Sequence, residues 1–177
     1  MKRPYERIIR SVVNQSARSA PVLLLVVHST ESNNMPGVTD LRNLGDWFDN
    51  PAAQCSAHVG VDAEGHSAQY VHDSRKSWAC ARFNSSSLNV EMIGRASQKF
   101  WPDKQLRKTA RYYAYWGKKF SIPVRKGKVN ATSGAILRSG IIRHSELGAA
   151  GGNHSDPGRA FPMKRLLLLT RYYRIRG

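Results

Sequence analysis

The chain has 177 residues, enough for one domain with a real core, and 41% of them are hydrophobic, which excludes a mainly disordered protein. Two cysteines exclude a disulfide framework, and no apolar run approaches the roughly 18 residues of a membrane-spanning helix. Charge is the unusual quantity: 28 Lys and Arg stand against 12 Asp and Glu, for a formal net charge of +16. Residues 102–177 hold 17 of the basic residues and only 3 of the acidic ones. A half-chain of one sign implies an acidic partner, whether nucleic acid, an anionic membrane or an anionic cell wall.

Met1–Arg10 is basic and Pro21–Val27 is apolar, an imitation of a signal peptide. The polar linker 11–20, the short apolar run and the following His-Ser-Thr-Glu argue instead for a buried strand, in a protein made and kept in the cytoplasm. Residues 1–20 are read as an N-terminal arm or short helix, with 21–177 as the main domain. Val22–Val27 predicts a central strand buried on both faces. Thr39–Phe48 spaces Leu41, Leu44, Trp47 and Phe48 as a helix, with Thr39 as N-cap and Pro51 beyond its end. His58–Val61 and Ser67–Val71 predict a hairpin turning at Gly65, and Leu88–Ile93 a further strand. Pro102–Phe120 predicts a helix with Leu106, Ala110, Tyr113, Ala114 and Gly117 inward. Its outer face carries Lys104, Arg107, Lys108, Arg111, Lys118 and Lys119. Ile136–His144 reads as a strand ending at His144, Ala149–Gly158 as a Gly-rich loop, and Pro162–Tyr173 as a closing helix with Leu166–Leu169 buried. Strands alternating with helices predict an α/β fold with a mixed central β-sheet flanked by helices.

Among six histidines, His28 and His144 each follow an apolar strand, at the sheet rim where α/β sites form. His154 and Asp156 follow in the Gly-rich loop. Catalytic zinc takes three N, O or S ligands and leaves one position for water, a set that His28, His144 and Asp156 satisfy. On residues alone, local capping and packing are an equal reading. Glu91 lies between Val90 and Met92, where a carboxylate is costly unless partnered. It is the candidate proton carrier; facing solvent or pairing with an arginine is the competing reading.

Five segments in order, VVHSTE at 26–31, SAHVGVDAEG at 56–65, NVEMIG at 89–94, IIRHSE at 141–146 and HSDPGRAFP at 154–162, resemble the zinc N-acetylmuramoyl-L-alanine amidase family. The resemblance spans roughly residues 20–170. It implies a single domain like those of amidases and peptidoglycan-recognition proteins, with Zn2+ held by His28, His144 and Asp156 and Glu91 as the catalytic carboxylate. One branch uses a tyrosine just before the histidine matched by His58; Ala57 stands there. The family's usual lysine two residues before the last ligand is His154 here, expected to steady the oxyanion, with zinc ligation by His154 as the alternative. Trp78 is kept in SWACA, but Ala79 replaces a family histidine. Trp78, Asn84 and His58 are the expected substrate-side residues, with His58 read as a neighbour of the site rather than a ligand. His66 and His72 are read as surface residues.

The implied reaction is cleavage of the lactyl–L-alanine amide of peptidoglycan by zinc-activated water. The expected protein is a monomeric phage endolysin that acts on the wall after release and binds peptidoglycan and anionic wall polymers. A wall-recycling amidase and a non-enzymatic recognition module are the alternatives. Nucleic-acid binding is not expected, because no nucleic-acid motif accompanies the charge.

Overall fold

The structure, a computed structural model, describes residues 1–177 apart from 34 and 36. Its strands in chain order are β1 (Ile8–Ile9), β2 (Gln15–Ala17), β3 (Leu24–Ser29), β4 (Val59–Val61), β5 (Ser67–Gln69), β6 (Arg75–Ser77), β7 (Ser87–Met92), β8 (Lys128–Val129), β9 (Ile136–Arg138) and β10 (Gly140–Arg143). The helices are α1 (Thr39–Asp49), α2 (Asp103–Lys119) and α3 (Met163–Arg176). The main sheet is six-stranded, in the order β1-β5-β4-β7-β3-β10. It is mixed: β4 and β5 are antiparallel, and the other neighbours are parallel.

The apolar run after Pro21 does form the centre. β3 is buried along its whole length and is hydrogen-bonded on both sides, to β7 and β10. Its alternate side chains enter two cores. Leu25 and Val27 join Leu88, Val90 and Met92 of β7 beneath α2 and α3. Leu24 and Val26 face the other way, toward Cys80, Phe83, Ile142 and Leu147. On that second face α1 covers β4 and β5 through Leu41 and Phe48, which pack with Ala68 and Tyr70. Short 3₁₀ turns at Ala81–Ser86 and Gly148–Gly151 lie over the β3–β10 half. A gap is left between these two coverings at the strands' C-terminal ends.

The hairpin β4–β5 turns at Gly65, where φ is +78° and a Cβ would sit 3.0 Å from the Lys104 carbonyl oxygen, so glycine suits the position on both counts. The expected inward stripe of α2 is buried, and its helix rests chiefly on α3.

Several expectations need correction. Thr39 is not the cap of α1: Val38 precedes the helix and no side chain closes its first turn. Trp47 is 55% exposed rather than part of the core stripe. Pro51 opens a 3₁₀ turn that Asn50 caps through Ala52 N–H. The segment 136–144 divides into β9, which pairs with β8, and β10, which enters the main sheet. In α3, Leu166 is fully buried but Leu168 is 63% exposed. Of the two readings of residues 1–20, the structure has the arm and not the helix: β1 adds to the main sheet and β2 pairs with β6. Among the described residues no helix is long and apolar enough to cross a membrane.

Candidate active site

Three parallel strands bring the candidate residues to one edge. His28 is in β3, and its partner across the ladder in β7 is Glu91. His144 follows β10 directly. Side chains alternate along a strand, so Asn89 and Glu91 share the face of Leu24, Val26 and His28. Asp156 arrives from the loop and is fixed twice: Ser145 N–H donates to its carbonyl at 2.7 Å and Ser29 N–H to its Oδ2 at 3.2 Å. Gly158 lets the loop close tightly, since a Cβ there would lie 2.0 Å from the Ala96 carbonyl oxygen.

His28 Nδ1 lies 3.0 Å from His144 Nδ1 and 3.5 Å from Asp156 Oδ2, while His144 Nδ1 lies 3.3 Å from the same oxygen. All three residues are buried. The outer ring nitrogens identify the tautomers. His28 Nε2 faces Asn89 Oδ1 at 3.0 Å, and His144 Nε2 faces the Gly151 carbonyl at 3.0 Å. Both partners only accept, so each Nε2 carries the hydrogen. Asn89 cannot be reversed without cost, because its Nδ2 donates to Ser77 Oγ and Ser87 Oγ. With both imidazoles neutral, two Nδ1 lone pairs and a carboxylate oxygen therefore converge on one point. A tetrahedral ion with bonds of about 2.0–2.1 Å spaces its ligands by about 3.3 Å, which matches this triangle.

The electrostatics favour positive charge at the same point. Burial alone would lower the His28 imidazole, but Cys80, Glu91 and Asp156 reverse this and hold its pKa well up. His144 is lowered by burial and by His28. Burial works against ionised Asp156, yet His144 and His28 keep its carboxyl far below the usual range. Glu91 goes the other way. Burial pushes its pKa up to about 7, assisted by Asp156 and Glu31 and opposed by His28. Its Oε1 lies 3.8 Å from His28 Nδ1, and its buried Oε2 has no hydrogen-bond partner.

His28, Cys80 and His144 form a second metal-capable group, with ligand atoms within 4.8 Å of one another; His144, His154 and Asp156 form a third. Cys80 Sγ lies on the outer side of the His28 ring, 3.6 Å from Nε2, and donates to Asn89 Oδ1 at 2.9 Å. Ligation through Cys80 would displace the Asn89 contact that holds the ring. The Nδ1–Nδ1–carboxylate set keeps every such contact.

The group lies at the base of a cleft of about 430 Å³. Leu44, Trp47 and Phe48 of α1 form one wall, and Trp78, Ala79 and Asn84 the other. His154 stands at the rim with its side chain 55% exposed and its ring stacked on His144 at 4.1 Å. Trp78 is held by donation to Ser16 Oγ at 2.9 Å. Asn84 uses its carbonyl oxygen on the backbone N–H groups of Ala79 and Cys80, shaping the wall. His58 does not reach the cleft. It is fully buried, accepts from Asn89 N–H at 3.1 Å, and burial next to Arg18 lowers its pKa to about 3. A substrate contact from His58 is incompatible with that burial. Cys55 and Cys80 are both free thiols, and Cys55 accepts from the Trp47 indole N–H at 3.2 Å.

Asn89, Cys80 and Trp47 are the site residues that sequence reasoning missed. A signal for Asn89 existed: Ser87, Asn89 and Glu91 alternate with Leu88, Val90 and Met92, marking a polar face on a central strand.

A convergent set of acceptors beside a carboxyl of raised pKa is the equipment of a hydrolase that uses a divalent cation. Comparison with known proteins agrees. Residues 18–159 match the family model for N-acetylmuramoyl-L-alanine amidase (Amidase_2). The chain is similar to N-acetylmuramoyl-L-alanine amidase A of Achromobacter lyticus, at 27% identity over 161 residues that cover 84% of this chain and 83% of that protein. Its fold is similar to that of a selenomethionine AmpD derivative, with a TM-score of 0.70 at 19% identity over 96% of this chain and 99% of that one. The Staphylococcus aureus hydrolase AmiA, in complex with its ligand, gives 0.69 at 17% identity over 99% and 86%. The chain belongs to the N-acetylmuramoyl-L-alanine amidase family. It is an amidase of peptidoglycan, in a family that is generally zinc-dependent.

Proposed function

We propose that this chain hydrolyses the amide between the lactyl group of N-acetylmuramic acid and L-alanine with a zinc ion held by His28 Nδ1, His144 Nδ1 and Asp156. The supporting observation is the convergence of His28 Nδ1, His144 Nδ1 and Asp156 Oδ2 within 3.5 Å of one another, beside a Glu91 oxygen that has no partner. Zinc bound there supplies Lewis acidity toward the scissile carbonyl and toward water.

The chain's own residues do the rest. Asn89 and the Gly151 carbonyl fix the two imidazoles, and Ser29 N–H fixes the carboxylate. Glu91 Oε2 takes a proton from the attacking water and returns it to the departing alanine nitrogen, for which a pKa of about 7 is well placed. His154, exposed at the rim, donates a hydrogen bond to the carbonyl oxygen as it gains charge. Trp47, Trp78 and Leu44 flank the cleft and limit water around the amide.

The biological role we favour is that of a phage endolysin acting on intact wall. The support is the basic surface: Lys104, Arg111 and Lys118 stand exposed on α2 and suit the carboxylates and phosphates of wall polymers. Wall binding that did not weaken with rising salt would remove this anchor. A recycling amidase would instead prefer soluble muropeptides.

The test is mass spectrometry of products from purified peptidoglycan, with and without a chelator. Intact stem peptides with new L-alanine amines, lost on chelation and restored by zinc, are expected. Cut sugars or cuts within the stem would overturn the assigned bond, and activity unaffected by chelation would overturn the zinc site.

A further inference from the structure

Helix α3 carries five cations, Lys164, Arg165, Arg171, Arg174 and Arg176, and no acidic residue. Its inner side is anchored: Leu166 and Thr170 are buried, and Arg174 donates to the Ile122 carbonyl at 2.6 Å. Its outer side is not polar, as a solvated face should be. Leu168 is 63% exposed, Tyr172 46% and Ile175 85%.

At about 100° per residue these three side chains form one stripe along the middle of the outer face. Arg171 and Lys164 border the stripe on one side, and Arg165 and Arg176 on the other. Of these four, Arg165 is ion-paired, to Asp103; no carboxylate of the described residues pairs with the other three.

A cleft of about 400 Å³ adjoins the stripe, walled by Lys2, Arg111, Arg176, Tyr172 and Tyr173, with no acidic side chain in its lining. There the Arg111 guanidinium lies 4.9 Å over the Tyr173 ring, and Arg176 lies 4.9 Å over Tyr172. The arrangement joins an apolar stripe to flanking cations and an adjacent basic recess. α3 covers the face of the sheet opposite the cleft that holds His28 and Glu91, so a surface seated on α3 leaves that cleft open.

We propose that the outer face of α3 docks on a lipid bilayer with anionic headgroups. The stripe enters the headgroup boundary, the flanking arginines and lysine meet lipid phosphates, and one phosphate occupies the Lys2–Arg111–Arg176 recess. The exposed apolar residues decide between partners. A wall polymer or a nucleic acid would use the cations alone and gain nothing from Leu168 and Ile175. This surface is independent of the amide chemistry.

The experiment is sedimentation of the full chain with phosphatidylglycerol–phosphatidylcholine vesicles and with phosphatidylcholine vesicles, at fixed salt. Binding to the first and weak binding to the second are expected. Arg171→Gln with Arg176→Gln should weaken partitioning about 25-fold, at about fivefold per cation. Leu168→Ser with Ile175→Ser should weaken it about tenfold or more. Both variants change exposed side chains, so thermal unfolding and peptidoglycan hydrolysis should be retained. Three results would each overturn the proposal: equal binding to both vesicle types, undiminished binding by the Leu168→Ser, Ile175→Ser protein, or binding to a short DNA duplex as strong as to the anionic vesicles.

Discussion

Glu91→Gln separates catalysis from stability, because the carboxyl has opposite effects on each. The substitution keeps the side chain's shape and removes its proton chemistry. If Glu91 carries the proton, hydrolysis should fall by about 10²–10⁴-fold, the usual contribution of a positioned general base. The same variant should be more stable at alkaline pH when metal has been stripped from both proteins. Burial raises the Glu91 pKa from its ordinary 4.5 to about 7. In the unfolded chain the group therefore loses its proton first, and the folded state loses stability as pH rises from about 4.5 to about 7. Above that window the deficit is constant at about 3 kcal/mol. Glutamine has no such deficit. For a domain of this size the gain at pH 8 corresponds to roughly 6–12 °C in melting temperature. At pH 4 the two chelated proteins should melt close together. The assay is calorimetric melting of both across pH 4–8, beside product release from peptidoglycan. Full activity in Glu91→Gln would remove it from the reaction. A stability difference that did not grow with pH would refute the reasoning about its burial.

Asn89→Ala removes the acceptor of His28 Nε2 and of the Cys80 thiol; zinc affinity, measured by competition with a chromogenic chelator, should fall about 10–100-fold. Unchanged affinity would show that the ring does not need this partner. Asp73 is buried against Arg3 and Lys119, which hold its pKa down despite burial, so its contribution is present above the usual carboxylate range and lost as pH falls through the depressed value. Asp73→Asn should cost about 3 kcal/mol in urea unfolding at pH 7 and less in acid, and a pH-independent cost would contradict the ion-pair account.

The parts of the molecule legible in the sequence are those with a strong periodic signal. Leu24–Val27 and Leu88–Met92 are apolar enough to be central strands, and the inward stripe of α2 follows the helical repeat over its full length. β2 and β6 are three residues long and largely polar, and β1 and β8 are only two residues long, so they exist because a neighbour completes their hydrogen bonds. Leu166–Leu169 read as buried since four leucines in succession cover more than half of a helix's circumference. The fold buries one side of that run and leaves Leu168 outside. His28, His144, Asp156 and Glu91 could be found in the sequence because each adjoins a recognisable strand or loop. That their acceptors converge was not readable, since it depends on which ring nitrogen Asn89 and Gly151 engage. His58 misled because histidine near a strand end suits a site and a sealed core alike.

The pairing of His28 with Glu91 across the β3–β7 ladder also bears on how the enzyme fails. These two groups take their spacing from the register of the innermost strands, which open only when the whole sheet does. A surface loop can fray, or α1 can loosen, without moving one relative to the other. Thermal inactivation should therefore track global unfolding, and brief local openings should leave this pair aligned.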